Sequence, residues 1–186
     1  MIGYAFCGSF CTHEESLKYL KKLSQLGEEI IPIMSDCVYS TDTRFGKAEA
    51  LIEKVESICK RKVIHTIKDA EPFGPSVPLD LLIIAPCTGN TLAKISMGIT
   101  DTAVTMSAKA HLRQDRNLLI ALASNDAMSA NLKNIGTLLN RKNVYFVPMK
   151  QDDIRKKPHS LVADFSLLEE SYHAALNNVQ PRPLFI

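Results

Sequence analysis

Short apolar runs alternate along the chain with longer stretches in which apolar residues recur at helical spacing, the pattern of a parallel sheet covered by helices. Residues 2–7 predict a first strand. Leu17, Leu20 and Leu23 then recur at one-turn spacing up to Gly27, a C′ glycine, with Thr12 and Glu15 spaced as a capping box. Residues 29–34 predict a second strand, in which Pro32 cannot donate to a ladder and so points to an edge or an irregularity. A helix over 46–60, with Ala48, Leu51, Ile52, Val55 and Ile58 on one side, leads to a short third strand at 63–67. Residues 71–78 carry Pro72, Pro75, Pro78 and Gly74 and read as loop. Residues 79–85 form the most apolar strand, the expected middle of the sheet. A helix from about Asn90 follows, with a break at Gly98 and a second helix capped by Asp101. Residues 118–123 make a fifth strand, Ser124-Asn125-Asp126 a second strand-to-helix junction, and a helix runs through Leu138 and Leu139. A sixth strand is expected at 144–147, then a polar arm or loop at 151–160 and a last helix over 161–176.

Composition narrows the class. A chain of 186 residues suits one domain with a sizeable core, and we expect a single domain over 1–186 with an arm and helix from about 150. The 22 basic and 20 acidic residues leave a net charge of +2. Neither sign gathers into the stripe of a nucleic-acid groove or a polybasic membrane segment, so no nucleic-acid or membrane partner is expected. Met1 leads into Ile2-Gly3-Tyr4-Ala5-Phe6 without a basic leader, and no apolar run approaches the ~20 residues that cross a bilayer, so a cytoplasmic protein is expected. Five cysteines at irregular spacing, without a CxxC pair or a histidine-rich segment, read as reduced, small apolar residues at strand edges. No metal site is expected from them.

Chemistry is expected where the strand ends meet, since open parallel sheets collect ligands at their carboxyl edge. There the first strand ends in Cys7-Gly8-Ser9, the second in Ser35-Asp36, the fourth in Pro86-Cys87-Thr88-Gly89-Asn90-Thr91 and the fifth in Ser124-Asn125. Gly8 permits close backbone approach, Ser9 adds a hydroxyl and the helix start near Thr12 offers N–H groups: a phosphate seat that Ser35, Thr41, Thr43 and Arg44 complete, or else a plain tight turn. Neither GxGxxG nor GxxxxGK[ST] is present, which lowers the odds of a dinucleotide or NTP loop. The uncharged Thr88, Asn90 and Thr91 suit the edge of a flat heteroaromatic ring such as a flavin, with Pro86 and Cys87 shaping the turn against it. The same run is equally an ordinary helix cap.

In order and spacing, Gly8-Ser9, then Ala85 through Lys94, then Gly98-Ile99-Thr100-Asp101 resemble the flavoprotein family of homo-oligomeric FMN-containing cysteine decarboxylases, over most of the chain. The resemblance implies a Rossmann-like (flavodoxin-like) three-layer sandwich on a six-stranded parallel sheet. It also implies FMN near a subunit contact and a homo-oligomer that is a trimer or a multiple of trimers; taken with the strand-end reading, Gly8, Ser9, Ser35, Pro86, Cys87, Thr88, Asn90, Thr91, Ser124 and Asn125 are the expected binding positions. Decarboxylating members carry a histidine just before the Asn-Thr segment and a Pro-x-Met-Asn run after the fifth strand. Here 73–82 hold no histidine and Ala123-Ser124-Asn125-Asp126 replaces the second motif, which speaks against decarboxylation. His65 lies farther upstream and reads as a packed or surface histidine.

Further stretches, Ser35-Asp36 with 41–49, 71–75, 124–127, and 145–148 with 151–152 and 156–158, resemble a branch of that family that serves as one half of a two-part oxidoreductase in spore-forming bacteria. That likeness implies an A subunit carrying NADP or NAD, a pyridine dicarboxylate as product and the mother-cell cytoplasm as the location. Arg44 and Lys47 then suit the paired carboxylates, or form a solvated pair at a helix start. A stand-alone flavin enzyme, such as a decarboxylase or a flavin prenyltransferase, and a catalytically silent regulatory subunit are the competing readings. No catalytic residue is assigned.

Overall fold

The computed structural model describes residues 1–74 and 76–186; Pro75 of the expected loop lies outside the described residues. β1 (Ile2–Phe6) passes through a 3-10 turn at Phe10–Thr12 into α1 (His13–Gln25). β2 (Ile30–Met34) is followed by α2 (Asp36–Ser40), α3 (Ala48–Cys59) and α4 (Ile67–Ala70). Next come β3 (Leu81–Cys87), α5 (Gly89–Met97), α6 (Ala103–Leu112), β4 (Asn117–Ser124), α7 (Leu132–Leu139) and β5 (Val144–Phe146). β6 (Met149–Lys150), β7 (Leu161–Ala163) and α8 (Leu168–Leu176) complete the order. Among the described residues no helix is long and apolar enough to cross a membrane.

The fold is the expected Rossmann-like α/β sandwich, but the sheet has seven strands, in the order β2-β1-β3-β4-β7-β6, with β5 also on β4. β1 to β5 are parallel, whereas β7 runs antiparallel to β4 and β6 antiparallel to β7. The six-stranded, wholly parallel expectation is therefore corrected in two places. The strand expected at 63–67 supplies a single bridge, Ile64 to Ile33, because Thr66 turns the chain by capping α4, its hydroxyl accepting from Asp69 N–H at 3.1 Å. The helix expected at 161–176 starts only at Leu168. Leu161 and Val162 pair with Ser124 and Ala123 on the part of β4 that β5 leaves uncovered.

Period-two alternation divides the core into two layers. Tyr4, Phe6, Leu81, Ile83 and Leu119 face Leu20, Leu23, Val55 and Leu168 of α1, α3 and α8. Ala5, Leu82, Ile84, Ile120 and Leu122 face Leu92, Val104, Ile135 and Leu138 of α5, α6 and α7. β1 and β3 are buried at every residue, which is why their sequences are near-continuous apolar runs. β2 is the edge strand, and Pro32 turns its nitrogen away from β1: on that outer side its carbonyl accepts from Ile64 N–H at 2.9 Å, so the β1–β2 ladder loses nothing.

Helix ends follow local chemistry with two exceptions. Gly27 and Gly98 take positive φ at the ends of α1 and α5, as their positions predict. Thr12 forms no capping box; it is already helical, and its hydroxyl donates back to Ser9 O at 2.8 Å inside the 3-10 turn. Asp101 does not cap α6 either. Thr102 does, in a reciprocal box with Thr105, while Asp101 pairs with Lys94 at 2.7 Å.

Candidate functional site

Backbone ladders bring the strand ends to one rim. Cys7 N–H donates to Pro86 O at 3.1 Å and Ser35 N–H to Phe6 O at 3.0 Å, tying the ends of β1, β2 and β3 together. Side chains continue the join. Thr91 donates to Cys7 Sγ at 3.3 Å, a Cβ added to Gly8 would lie 2.8 Å from Cys37 Sγ, and one added to Gly89 would strike Ser124 Oγ. Gly8, Ser35, Thr88, Thr91 and Ser124 thus share one edge, and Ser9 follows Gly8 directly, its carbonyl accepting from Thr12 N–H at 3.0 Å.

The members of that edge are not equivalent. Thr88 is the N-cap of α5: its hydroxyl accepts from Thr91 N–H at 3.2 Å and donates to Thr91 Oγ1 at 3.1 Å. Asn90 is exposed, and its amide makes no side-chain hydrogen bond among the described residues. Thr91 and Cys87 are turned inward; Cys87 belongs to the core layer against α5, α6 and α7, so its side chain packs under the turn instead of lying against a ligand. Pro86 closes β3 and offers its carbonyl to Cys7. Asn125 is exposed in the turn after β4. Arg44 and Lys47 are exposed on the 41–47 loop; Arg44 lies over the Phe45 ring at 4.8 Å, and Lys47 lines a cleft of about 300 Å³ with Phe10, His13, Thr41 and Thr43. His65 stacks on Tyr39 with ring centroids 3.7 Å apart, a packing role as expected.

Two networks whose partners the sequence pattern did not connect hold the rim in place. On α1, buried His13 donates from Nε2 to Cys7 O at 2.8 Å and Ser16 donates to Ala85 O at 2.5 Å, fixing one carbonyl just past β1 and one near the end of β3. The signal was available, since His13 and Ser16 fall on the same helical stripe as Leu20 and Leu23. After β4, Ser124 donates to Asp126 Oδ1 and Asn131 Nδ2 donates to both carboxylate oxygens, at 3.0 and 2.9 Å. Asn134 then donates to Asn131 Oδ1 at 2.8 Å, and Ser96 of α5 to Asn134 Oδ1 at 2.9 Å. The Ser124 hydroxyl above all, with the Asn131 amide, holds the Asp126 carboxyl below the usual carboxylate range against its partial burial. The arm at 151–160 leans on this turn, with Met128 N–H donating to His159 O at 2.9 Å.

Apart from the Asp126 carboxylate behind Ser124 and Gly89, the rim positions carry no charge. Gly8, Ser9, Ser35, Thr88 to Thr91 and Ser124 contain hydroxyls and one amide and no lysine or arginine. Burial pushes the Cys7 thiol up to about 11, against the Thr91 hydroxyl, so it stays protonated and inert at neutral pH. Among the described residues no group of three or more His, Cys, Asp or Glu side chains is placed to hold a metal. A donor set of neutral hydroxyls and an amide, beside backbone N–H groups at two helix starts, fits a planar, hydrogen-bonding ring with an anionic tail.

Fold and rim together define a class: the chain belongs to the Flavoprotein family, which matches residues 2–171. It is 38% identical over 185 residues to the B subunit of dipicolinate synthase from Bacillus subtilis strain 168, covering 100% of this chain and 92% of that protein. The crystal structure of the corresponding dipicolinate synthase B subunit from Bacillus halodurans C superposes with a TM-score of 0.91 at 39% identity, over 100% of this chain and 95% of that one. The FMN-dependent cysteine decarboxylase SpaF shares the fold, with a TM-score of 0.67 at 22% identity over 94% of this chain and 95% of that one.

Proposed function

We propose that this chain is the flavin-binding B subunit of a two-part dipicolinate synthase. In this reading it works with an A subunit that carries NADP or NAD and oxidises a dihydrodipicolinate-level precursor to dipicolinate, in the mother-cell cytoplasm of a sporulating bacterium. The observation that carries the reading is the likeness to the dipicolinate synthase B subunit along the whole chain, 38% over 185 residues. The donor set of the rim supports FMN as the cofactor. Residues 1–186 act as one domain, in a homo-oligomer that is a trimer or a multiple of trimers.

When bound, FMN supplies a two-electron acceptor for the hydride equivalent that leaves a dihydropyridine on aromatisation. The chain's own residues do the rest. Gly8, Ser9 and Ser35, with the first N–H groups before α1, hold the phosphate. Thr88 and Asn90 orient the ring edge, and the inward Thr91 and Cys87 keep that turn in shape. Arg44 and Lys47 are the cations offered to the two carboxylates of the substrate.

Titration of the purified protein with FMN, followed by the rate of the A subunit with and without it, tests the reading. Bound FMN, a faster A subunit, and loss of both with Asn90→Ala are expected. A chain that takes up no FMN yet raises the A-subunit rate is a regulatory subunit; one that does neither overturns the assignment.

A further inference from the structure

The amino end of α5 is a place where an anion would be expected to sit. Its first N–H groups have no partner within the helix, and the macrodipole is positive there. The protein already brings a carboxylate to it. A Cβ added to Gly89, the first residue of α5, would lie 2.8 Å from Asp126 Oδ1 and 2.6 Å from Asn131 Nδ2 and would strike Ser124 Oγ, so the network closes on the helix backbone without room for a methyl group.

Two features make this more than a cap. The network packs against Gly89 and returns to α5 two turns further on, where Ser96 bonds Asn134, which in turn bonds the Asn131 amide that holds the Asp126 carboxylate. Asp126 also has no cationic partner among the described residues; the one lysine of α5, Lys94, is committed to Asp101 at 2.7 Å. The negative charge is therefore met by hydrogen bonds from Ser124 and Asn131, with the amino end of α5 beside it.

We propose that Asp126 is a positioning residue of the flavin site: through Gly89 it sets the placement of Thr88 and Asn90, and its charge biases that part of the site toward an uncharged ring. The inference rests on the flavin-binding reading above. The phosphate is thereby confined to the Gly8–Ser9 side, and a ring that gains negative charge on reduction is held less tightly than its oxidised form.

The affinities of oxidised and reduced FMN for the wild type, Asp126→Asn and Asp126→Glu test the charge, because their ratio within one variant cancels any loss of packing. Asp126→Asn is expected to tighten the reduced form about tenfold relative to the oxidised one, a rise of about 30 mV for a two-electron couple. Asp126→Glu, which keeps the charge, is expected to leave the ratio where it was. Bound FMN with an unshifted ratio in Asp126→Asn overturns the charge claim. The placement is read in FMN-free protein, where Asp126→Asn and Gly89→Ala are each expected to speed exchange of the Thr91 and Leu92 amides, which bond to Thr88, about tenfold; unchanged exchange overturns it. A wild type that binds no FMN sinks the flavin reading and the charge claim together, and the exchange data still decide the placement.

Discussion

Acid is expected to unfold this protein early through one buried side chain. His111 closes the last turn of α6 and is fully buried. Its Nε2–H donates to Asn117 O at 2.7 Å, which fixes the tautomer, while Nδ1 has no partner among the described residues. Burial pushes the ring from its ordinary 6.5 down to about 4; the Asn117 carbonyl and Asp80 raise it slightly and Arg116 lowers it. The unfolded chain takes up this proton near 6.5 and the folded chain only near 4, so the unfolded state binds more protons between those values and stability rises with pH. The contribution is complete above 6.5 and is lost progressively as the pH falls toward 4. At ~1.4 kcal/mol per pH unit the loss comes to about 3 kcal/mol, a large share of the ~5–15 kcal/mol that usually holds a domain together. Denaturant midpoints measured from about pH 7.5 to about pH 4.5 on the wild type and His111→Gln check it, since glutamine can still donate to Asn117 O and does not titrate. The wild type is expected to lose about 3 kcal/mol more than the variant, or about 6–12 °C in Tm. Parallel pH profiles for the two proteins would refute the reasoning.

Two other outcomes follow from packing alone. Gly136 sits inside α7 with nothing within 4 Å of an added Cβ, so Gly136→Ala is expected to stabilise by ~0.5–1 kcal/mol and raise Tm by about 1–4 °C; a fall would show that this open face is covered in solution. Of the five thiols, the exposed Cys11 and Cys37 are expected to react quickly with a disulfide reagent. Cys7 and Cys87 are expected to react only on unfolding, because both are buried and burial raises the first to about 11 and the second well above its usual value; half-buried Cys59, raised to about 12, is expected to react slowly in the folded protein. Because Cys37 Sγ lies over Gly8, added FMN is expected to slow its modification in a stopped-flow assay, and an unchanged rate would place the ligand elsewhere.

The rim shows how far strand-end logic reaches. Gly8, Ser35, Thr88, Thr91 and Ser124 were all placed at the carboxyl edge by reading where each apolar run stops, and the ladders put them there. Whether a given side chain faces outward was not legible. Cys87 and Thr91 sit in the same polar run as Asn90, yet they are buried while Asn90 is exposed: Cys87 is the last residue of β3 and faces a core layer, and the helix that starts at Gly89 rotates Thr91 by about 100° from Asn90. The partners that brace the edge were harder still to see. Ser16 reaches a carbonyl 69 residues away and Ser96 an amide 38 residues away, and no local pattern announces either pairing.

By itself the sequence determined the alternation of strands and helices, the burial of β1 and β3 on both faces, and the glycine ends of α1 and α5, because each depends on residues within a turn or two of one another. Only the tertiary structure decided which apolar runs became strands at the margins of the sheet. Ile64 reached the outer edge of β2 and stopped at one bridge, while Leu161–Ala163 found the stretch of β4 beyond Phe146 open and paired with it. A strand is completed by hydrogen bonds to a neighbour, and which neighbour is free is a property of the assembled sheet.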